Sequence, residues 1–226
     1  MHRVITVHHL NNSRSQRVLW LLEELGVPYE IVKYERDPQT MLSPKSLEAV
    51  HPLGKSPVIT DNGQSLAESG AILEYLVETY GNGRFVPVRG TPAWNDYRYF
   101  MHYAEGSLMP YLLLKLIFRK VKTSPMPFIV KPVAKGIADK IMGTFVDPNL
   151  VRHLKFLNDH LTKHTWFAGD ELTAADIQMG FPVESAVARG GDLADISKLS
   201  EFVKRIKARP AFQRAIERGG AYELLG

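Results

Sequence analysis

The chain has 226 residues, 45% of them hydrophobic and 23% charged, with a formal charge of +4 and no cysteine. That length and composition suit one large core or two smaller ones, and the basic excess is too small to imply nucleic-acid binding; an anionic small-molecule ligand fits it as well. The missing cysteine removes disulfides, thiolate metal sites and a cysteine nucleophile, so any thiol chemistry has to use a substrate's sulfur.

Met1, His2 and Arg3 run straight into Val4-Ile5-Thr6-Val7 with no apolar h-region, which predicts a cytoplasmic protein opening on a strand near Arg3 to Val7. The apolar run Met109 to Leu114 is stopped by Lys115, well short of the roughly 20 residues of a membrane span. A helix is predicted near Ser15 to Leu25, where Val18, Leu21, Leu22 and Leu25 recur at helical spacing and Gly26 marks the stop. Tyr29 to Lys33 reads as a second strand, and Ser43-Pro44 as the cap of a short helix reaching about Val50. Pro57 to Thr60 and Gln64 to Ala67, joined through Asn62-Gly63, read as a hairpin. A third helix starts at Ser69, carries Ile72, Leu73, Leu76 and Tyr80 on one stripe, and ends at Gly81.

The order β-α-β-α-β-β-α thus fills residues 1–81. After a loop of about Gly81 to Pro92 the strand signals vanish, which predicts a domain boundary and an all-helical domain over 92–226. There a helix runs from about Ala93 to Lys120, a proline-punctuated stretch from Ser124 to Pro132 bends the chain, and Pro148 to His164 is helical again. Thr173-Ala174-Ala175-Asp176 has capping-box spacing, with both side chains free to satisfy first-turn amides, and Ala208 to Phe212 ends one helix and starts the next.

Three features of the first domain answer the needs of binding a short acidic peptide that carries a thiol. Ser56-Pro57 opens a strand with a residue that cannot join the ladder, leaving the Ser56 main chain for an extended peptide. Glu68-Ser69 starts a helix whose amides and dipole suit a carboxylate, with Glu68 placed to accept from an ammonium beside it. The run Asn11-Asn12-Ser13-Arg14-Ser15 leads into the first helix, where the N-terminal field favours a thiolate and a serine hydroxyl can donate to sulfur. Each alone is commonplace, because most serines before a helix are simple caps.

Together and in this order, Ser13-Arg14-Ser15-Gln16-Arg17, Gly54-Lys55-Ser56-Pro57, Leu66-Ala67-Glu68-Ser69, Ala168-Gly169-Asp170 through Asp176, and Arg209-Pro210-Ala211-Phe212 resemble the glutathione transferase family over nearly the whole chain. The resemblance implies an α/β thioredoxin-like N-terminal domain with a cis bond before Pro57, an all-α C-terminal domain, and a homodimer. Glutathione is the implied co-substrate and a small hydrophobic electrophile its partner. By that analogy Lys55 pairs with the glycyl carboxylate, glutathione lies along Ser56, Glu68 and Ser69 hold the γ-glutamyl end, and Ser13 donates to the sulfur. Asn11, Asn12 and Ser15 stand as alternates near the thiol, and Tyr103, Glu105, Ser107 and Tyr111 as an electrophile pocket.

The absence of tyrosine from the Asn11 to Ser15 run, and of cysteine from the chain, disfavours tyrosine-type and cysteine-based members of that family. Reduction of organic hydroperoxides and a non-catalytic carrier or docking module are the alternatives; disulfide reduction would need glutathione thiols alone to do the exchange. No metal is expected, since His8-His9 are adjacent on a strand and His160 to His164 lacks the glutamate of a zinc-protease helix. The acid-free stretch between Glu105 and Asp139, with Lys115, Arg119, Lys120, Lys122, Lys131 and Lys135, reads as a solvated face and a loop closing over the substrate pocket, in preference to a membrane-binding surface.

Overall fold

The computed structural model describes residues 4–190 and 193–222; Met1, His2 and Arg3, the last a predicted strand residue, lie outside them. Four strands, β1 (Ile5–Leu10), β2 (Tyr29–Tyr34), β3 (Val58–Asp61) and β4 (Gln64–Ala67), form one mixed sheet in the order β2-β1-β3-β4. β1 and β2 run parallel, and the other pairs are antiparallel. Two helices belong to this part, α1 (Gln16–Leu25) and α2 (Ser69–Tyr80).

Local chemistry accounts for the connections. Gly26 adopts φ 71° and returns its N–H to the Leu22 carbonyl, a backbone conformation that closes α1 at little cost only in glycine. Asn62 and Gly63 both have positive φ, the pairing that a two-residue hairpin turn demands. The helix expected over residues 43–50 is instead a single 3₁₀ turn, Lys45–Leu47. Ser43 does not cap it, because its hydroxyl donates to the Gly54 carbonyl, and only Leu47 is buried there, too little apolar surface to extend the turn.

The helical part begins with α3 (Pro92–Tyr103), one residue earlier than its apolar pattern suggests, because Thr91 caps it by accepting from the Trp94 N–H at 3.2 Å. A π-helical turn, Ala104–Leu108, joins α3 to α4 (Met109–Thr123), so the long predicted helix is continuous but interrupted. α5 (Lys131–Ile141) leads through a second π-turn, Met142–Val146, into α6 (Asp147–Lys163). The last three helices are α7 (Ala174–Gly190), α8 (Ser197–Lys207) and α9 (Pro210–Gly219).

α7 runs through the interior, and its start differs from a reciprocal capping box. Asp176 accepts from the Thr173 N–H at 2.8 Å and from the Phe167 N–H at 2.7 Å, but the Thr173 hydroxyl donates to the same carboxylate and satisfies no amide. Burial pushes the Asp176 carboxyl up to about 6 despite these three donors. α1 carries Val18, Leu19, Leu21 and Leu22 into a core shared with α7 and α9, where Gly180 lets α7 approach the Trp20 ring. One apolar cluster therefore spans both parts of the molecule and holds the N-terminal end of α1 against the helices.

Candidate functional site

A groove of about 310 Å³ opens where the turn before α1, the loop before β3 and the start of α2 meet. Lys55, Ser56, Pro57, Glu68 and Ser69 line it, together with Arg14, His51 and, from the π-turn, Glu105. The Ser56–Pro57 bond is cis. The antiparallel ladders on both sides of β3 begin only at Val58, so the Ser56 main chain lies outside them. Glu68 occupies the cap of α2 at φ 73°, a conformation costly for a residue with a Cβ and held by its surroundings.

Behind Ser56 lies a chain of hydroxyls. The Ser56 hydroxyl donates to the His8 carbonyl at 3.0 Å and stands 3.4 Å from the Ser13 hydroxyl. Ser13 in turn is 2.7 Å from the Ser15 hydroxyl, which is 2.8 Å from His9 Nδ1. Ser13 is 5% exposed, and Ser15 and His9 are buried beneath it. Neither serine is a simple cap: Ser15 makes no side-chain cap bond to α1, and Ser13 accepts from the Ser15 N–H at 3.2 Å.

Burial, reinforced by the charge of Lys33, pushes His9 down to about 4, although a hydrogen bond to the Gly219 main chain at the end of α9 opposes this. The ring is therefore neutral near pH 7. With the ring proton on Nε2, Nδ1 accepts from Ser15, and the Ser13 proton is shared between Ser15 Oγ at 2.7 Å and Ser56 Oγ at 3.4 Å. The direction of the hydroxyl chain follows from the tautomer of the histidine at its buried end.

A second cluster ties the groove to the helices. Glu105 accepts from Arg14 Nε at 3.0 Å and from Arg17 at 2.7 Å, and Arg17 also donates to Gln178 of α7 at 2.6 Å. Burial would raise the Glu105 carboxyl, but Arg17 and Arg14 outweigh it and hold the group below the usual carboxylate range. The Phe181 ring lies under both guanidinium groups, at 5.9 and 5.5 Å.

Of the residues singled out from the sequence, Lys55, Ser56, Pro57, Glu68, Ser69 and Glu105 line the groove, and Ser13 lies behind Ser56. Ser15 sits behind Ser13, and Asn11 points elsewhere, its side chain accepting from the Arg36 N–H at 2.9 Å. Asn12 forms the left-handed turn at φ 48°. Tyr103 and Ser107 line a separate cavity with Tyr99 and His102, and Tyr111 packs at a tilt against Phe145 and His153. Three of the four expected electrophile-pocket residues are thus not brought to the groove, because the π-turn rotates Glu105 toward α1 and leaves its neighbours on other faces. The stretch between Glu105 and Asp139, expected to close over the pocket, contributes no lining residue to this groove.

His9, Arg14 and Arg17 were given no role by the sequence. Arg14 just before α1 and Arg17 in its first turn oppose the helix dipole, so a carboxylate partner is the signal that their spacing carried. His160 Nε2 meets the Phe167 carbonyl at 3.0 Å, and among the described residues no group of three or more histidine and acidic side chains could hold a metal ion.

Comparison with known proteins follows this geometry. The sequence profile of the glutathione S-transferase N-terminal domain matches residues 3–78, and that of the C-terminal domain matches residues 123–218. Glutathione S-transferase 3 of Schizosaccharomyces pombe is 33% identical over 95% of this chain and 88% of its own. Glutathione S-transferase 1 of Saccharomyces cerevisiae is 33% identical over 96% of each. The disulfide-bond oxidoreductase YfcG of Escherichia coli is 24% identical over 94% of each. Among solved structures, a glutathione S-transferase of Actinobacillus pleuropneumoniae superposes with a TM-score of 0.78 at 29% identity, covering 98% of this chain and 95% of that one.

Proposed function

Because the chain belongs to the glutathione S-transferase family, we propose that it binds glutathione in the groove beside Ser56 and activates its thiol for attack on a small hydrophobic electrophile. In this reading residues 1–81 grip the peptide and residues 92–226 supply the electrophile side, within a cytoplasmic homodimer. Lys55 pairs with the glycyl carboxylate, the Ser56 main chain meets the extended peptide, and Glu68 with the first-turn amides at Ser69 holds the γ-glutamyl ammonium and carboxylate.

The observation that carries this reading is the placement of the Ser13 hydroxyl just before α1 and 3.4 Å from the hydroxyl of Ser56, directly behind a groove lined by both a cation and a carboxylate. When sulfur lies beside Ser13, its proton turns from Ser15 to the sulfur while its oxygen keeps the Ser15 N–H. The thiol proton goes to solvent, the thiolate attacks the electrophilic carbon, and the leaving group departs with the electron pair; Ser13 stays protonated throughout. A hydroxyl donor and the helix dipole together supply about 1.4 kcal/mol for each unit by which the thiol falls from its free value of about 8.5. Ser15 and His9 are positioning residues that fix which way the hydroxyls point.

Reduction of organic hydroperoxides uses the same thiolate and stands as the alternative within the site. Disulfide reduction is named for the Escherichia coli relative; here, without cysteine, both thiols would have to come from glutathione. Steady-state rates of Ser13→Ala and Ser15→Ala toward an activated aryl halide and toward cumene hydroperoxide test the assignment. The expected result is a kcat/KM loss of about tenfold to a hundredfold in Ser13→Ala, with a smaller loss in Ser15→Ala. Tight glutathione binding with no rate enhancement toward either substrate would make the protein a carrier instead.

A further inference from the structure

The end of the α4–α5 hairpin carries an apolar surface that the glutathione site does not use. Phe128 is 83% exposed, and Ile129 and Val130 continue the run at 72% and 51%. Behind the tip, Val133 and Ile137 extend an exposed row along α5, a helix in which Ala138 is the buried residue. Consecutive large apolar side chains turned outward cost hydration that a solvated loop avoids, and contiguous patches of this kind mark contact sites.

The charges around the tip say what covers it. No acidic residue stands between Glu105 and Asp139, and the helix ends beside the tip carry Arg119, Lys120, Lys122, Lys131 and Lys135. Lys122 is paired with Asp139 at 2.5 Å, whereas Lys120, Lys131 and Lys135 have no carboxylate partner among the described residues. A second copy docking through the same patch would bring these cations against themselves. A nucleic acid would satisfy the lysines and leave Phe128 and Ile129 exposed. An anionic bilayer surface satisfies both, with the side chains of the tip entering the acyl boundary and the lysines at the phosphate level. No helix among the described residues is long and apolar enough to cross a membrane, so the contact is peripheral.

We propose that the α4–α5 tip is a docking surface for anionic lipid bilayers, with Phe128 and Ile129 as the inserted pair and Lys120, Lys131 and Lys135 as the headgroup contacts. Such a surface holds the enzyme beside a membrane, where apolar electrophiles partition. The test is co-sedimentation of the whole protein with vesicles of phosphatidylcholine, with and without a quarter of phosphatidylglycerol, at low and high salt. Pelleting with the anionic vesicles alone, lost at high salt through screening, is the expected result. Phe128→Ser with Ile129→Ser, and separately Lys131→Glu with Lys135→Glu, should each lose most of the bound fraction while conjugation activity in solution is unchanged. Wild type left in the supernatant at low salt would overturn the proposal. So would variants that pellet like wild type, a change of oligomeric mass in the Phe128→Ser, Ile129→Ser protein, or tight binding of duplex DNA in place of vesicles.

Discussion

His9 sets both a direction and a pH dependence. Its folded value near 4 lies below the ordinary 6.5, so the unfolded chain takes up the proton first as pH falls. The folded state therefore loses stability from about pH 6.5 down to about pH 4 and no further below that; the neutral ring contributes fully above the window. Relative to His9→Phe, wild type should lose about 3 kcal/mol of unfolding free energy across that interval, read from urea titrations at successive pH values; a constant difference would mean that His9 titrates normally. The same substitution removes the acceptor of the Ser15 proton, so the bound thiol's pKa should move although His9 touches no substrate. Glu68→Gln, by contrast, should raise KM for glutathione by about tenfold with little change in kcat, since it removes ground-state contact with the ammonium. That Lys55, Glu68 and Ser69 share one groove was legible because their motifs are short and local. His9 was not, because a histidine on a strand says nothing of the serine folded over it six residues later.

The start of α7 is the element on which the helical part depends, and Asp176 is its center. Three donors converge on that buried carboxylate, the amide and the hydroxyl of Thr173 and the Phe167 amide nine residues back. Asp176→Ala should destabilise the fold by about 3 kcal/mol, because each buried amide left unsatisfied costs on the order of 1–3 kcal/mol. Asp176→Asn, which keeps acceptors and shape, should cost much less; equal losses in a denaturant titration would assign the effect to packing instead. Long elements were readable from period alone, α1 and the β3–β4 hairpin with their terminators included. The 3₁₀ turn at Lys45–Leu47 was not, since a serine and a proline mark a helix start equally well whether or not apolar surface follows. The π-turn at Ala104–Leu108 also left no periodic signal, being one extra residue inside a continuous helical pattern.

At the scale of the whole molecule, the two parts are joined by the shared core and by ion pairs that cross between them, from Glu23 and Glu24 to the arginines at and before α9 and from Arg17 to Glu105. Arg17 is buried on α1, and Glu105 on the π-turn is its carboxylate partner. Glu105→Gln leaves that guanidinium without a counter-charge and should cost on the order of 2 kcal/mol, lower than for a fully buried pair because Glu105 is about a third exposed. The loss should exceed that of Arg14→Ala, whose side chain reaches solvent. Thermal unfolding of both variants checks the order. The two-part architecture was legible because strand signals stop before residue 92, but the seam was not: contacts such as Arg17 with Gln178, 161 residues apart in sequence, have no local signature.

The central claim is that the Ser13 hydroxyl lowers the pKa of glutathione's thiol, and ultraviolet titration of the bound thiolate tests it most directly. Wild type and Ser13→Ala are titrated at saturating glutathione. The expected result is a bound-thiol pKa one or two units below the free value of about 8.5 in wild type, returned most of the way in the variant. A value equally depressed in Ser13→Ala, or not depressed in wild type at all, would contradict it.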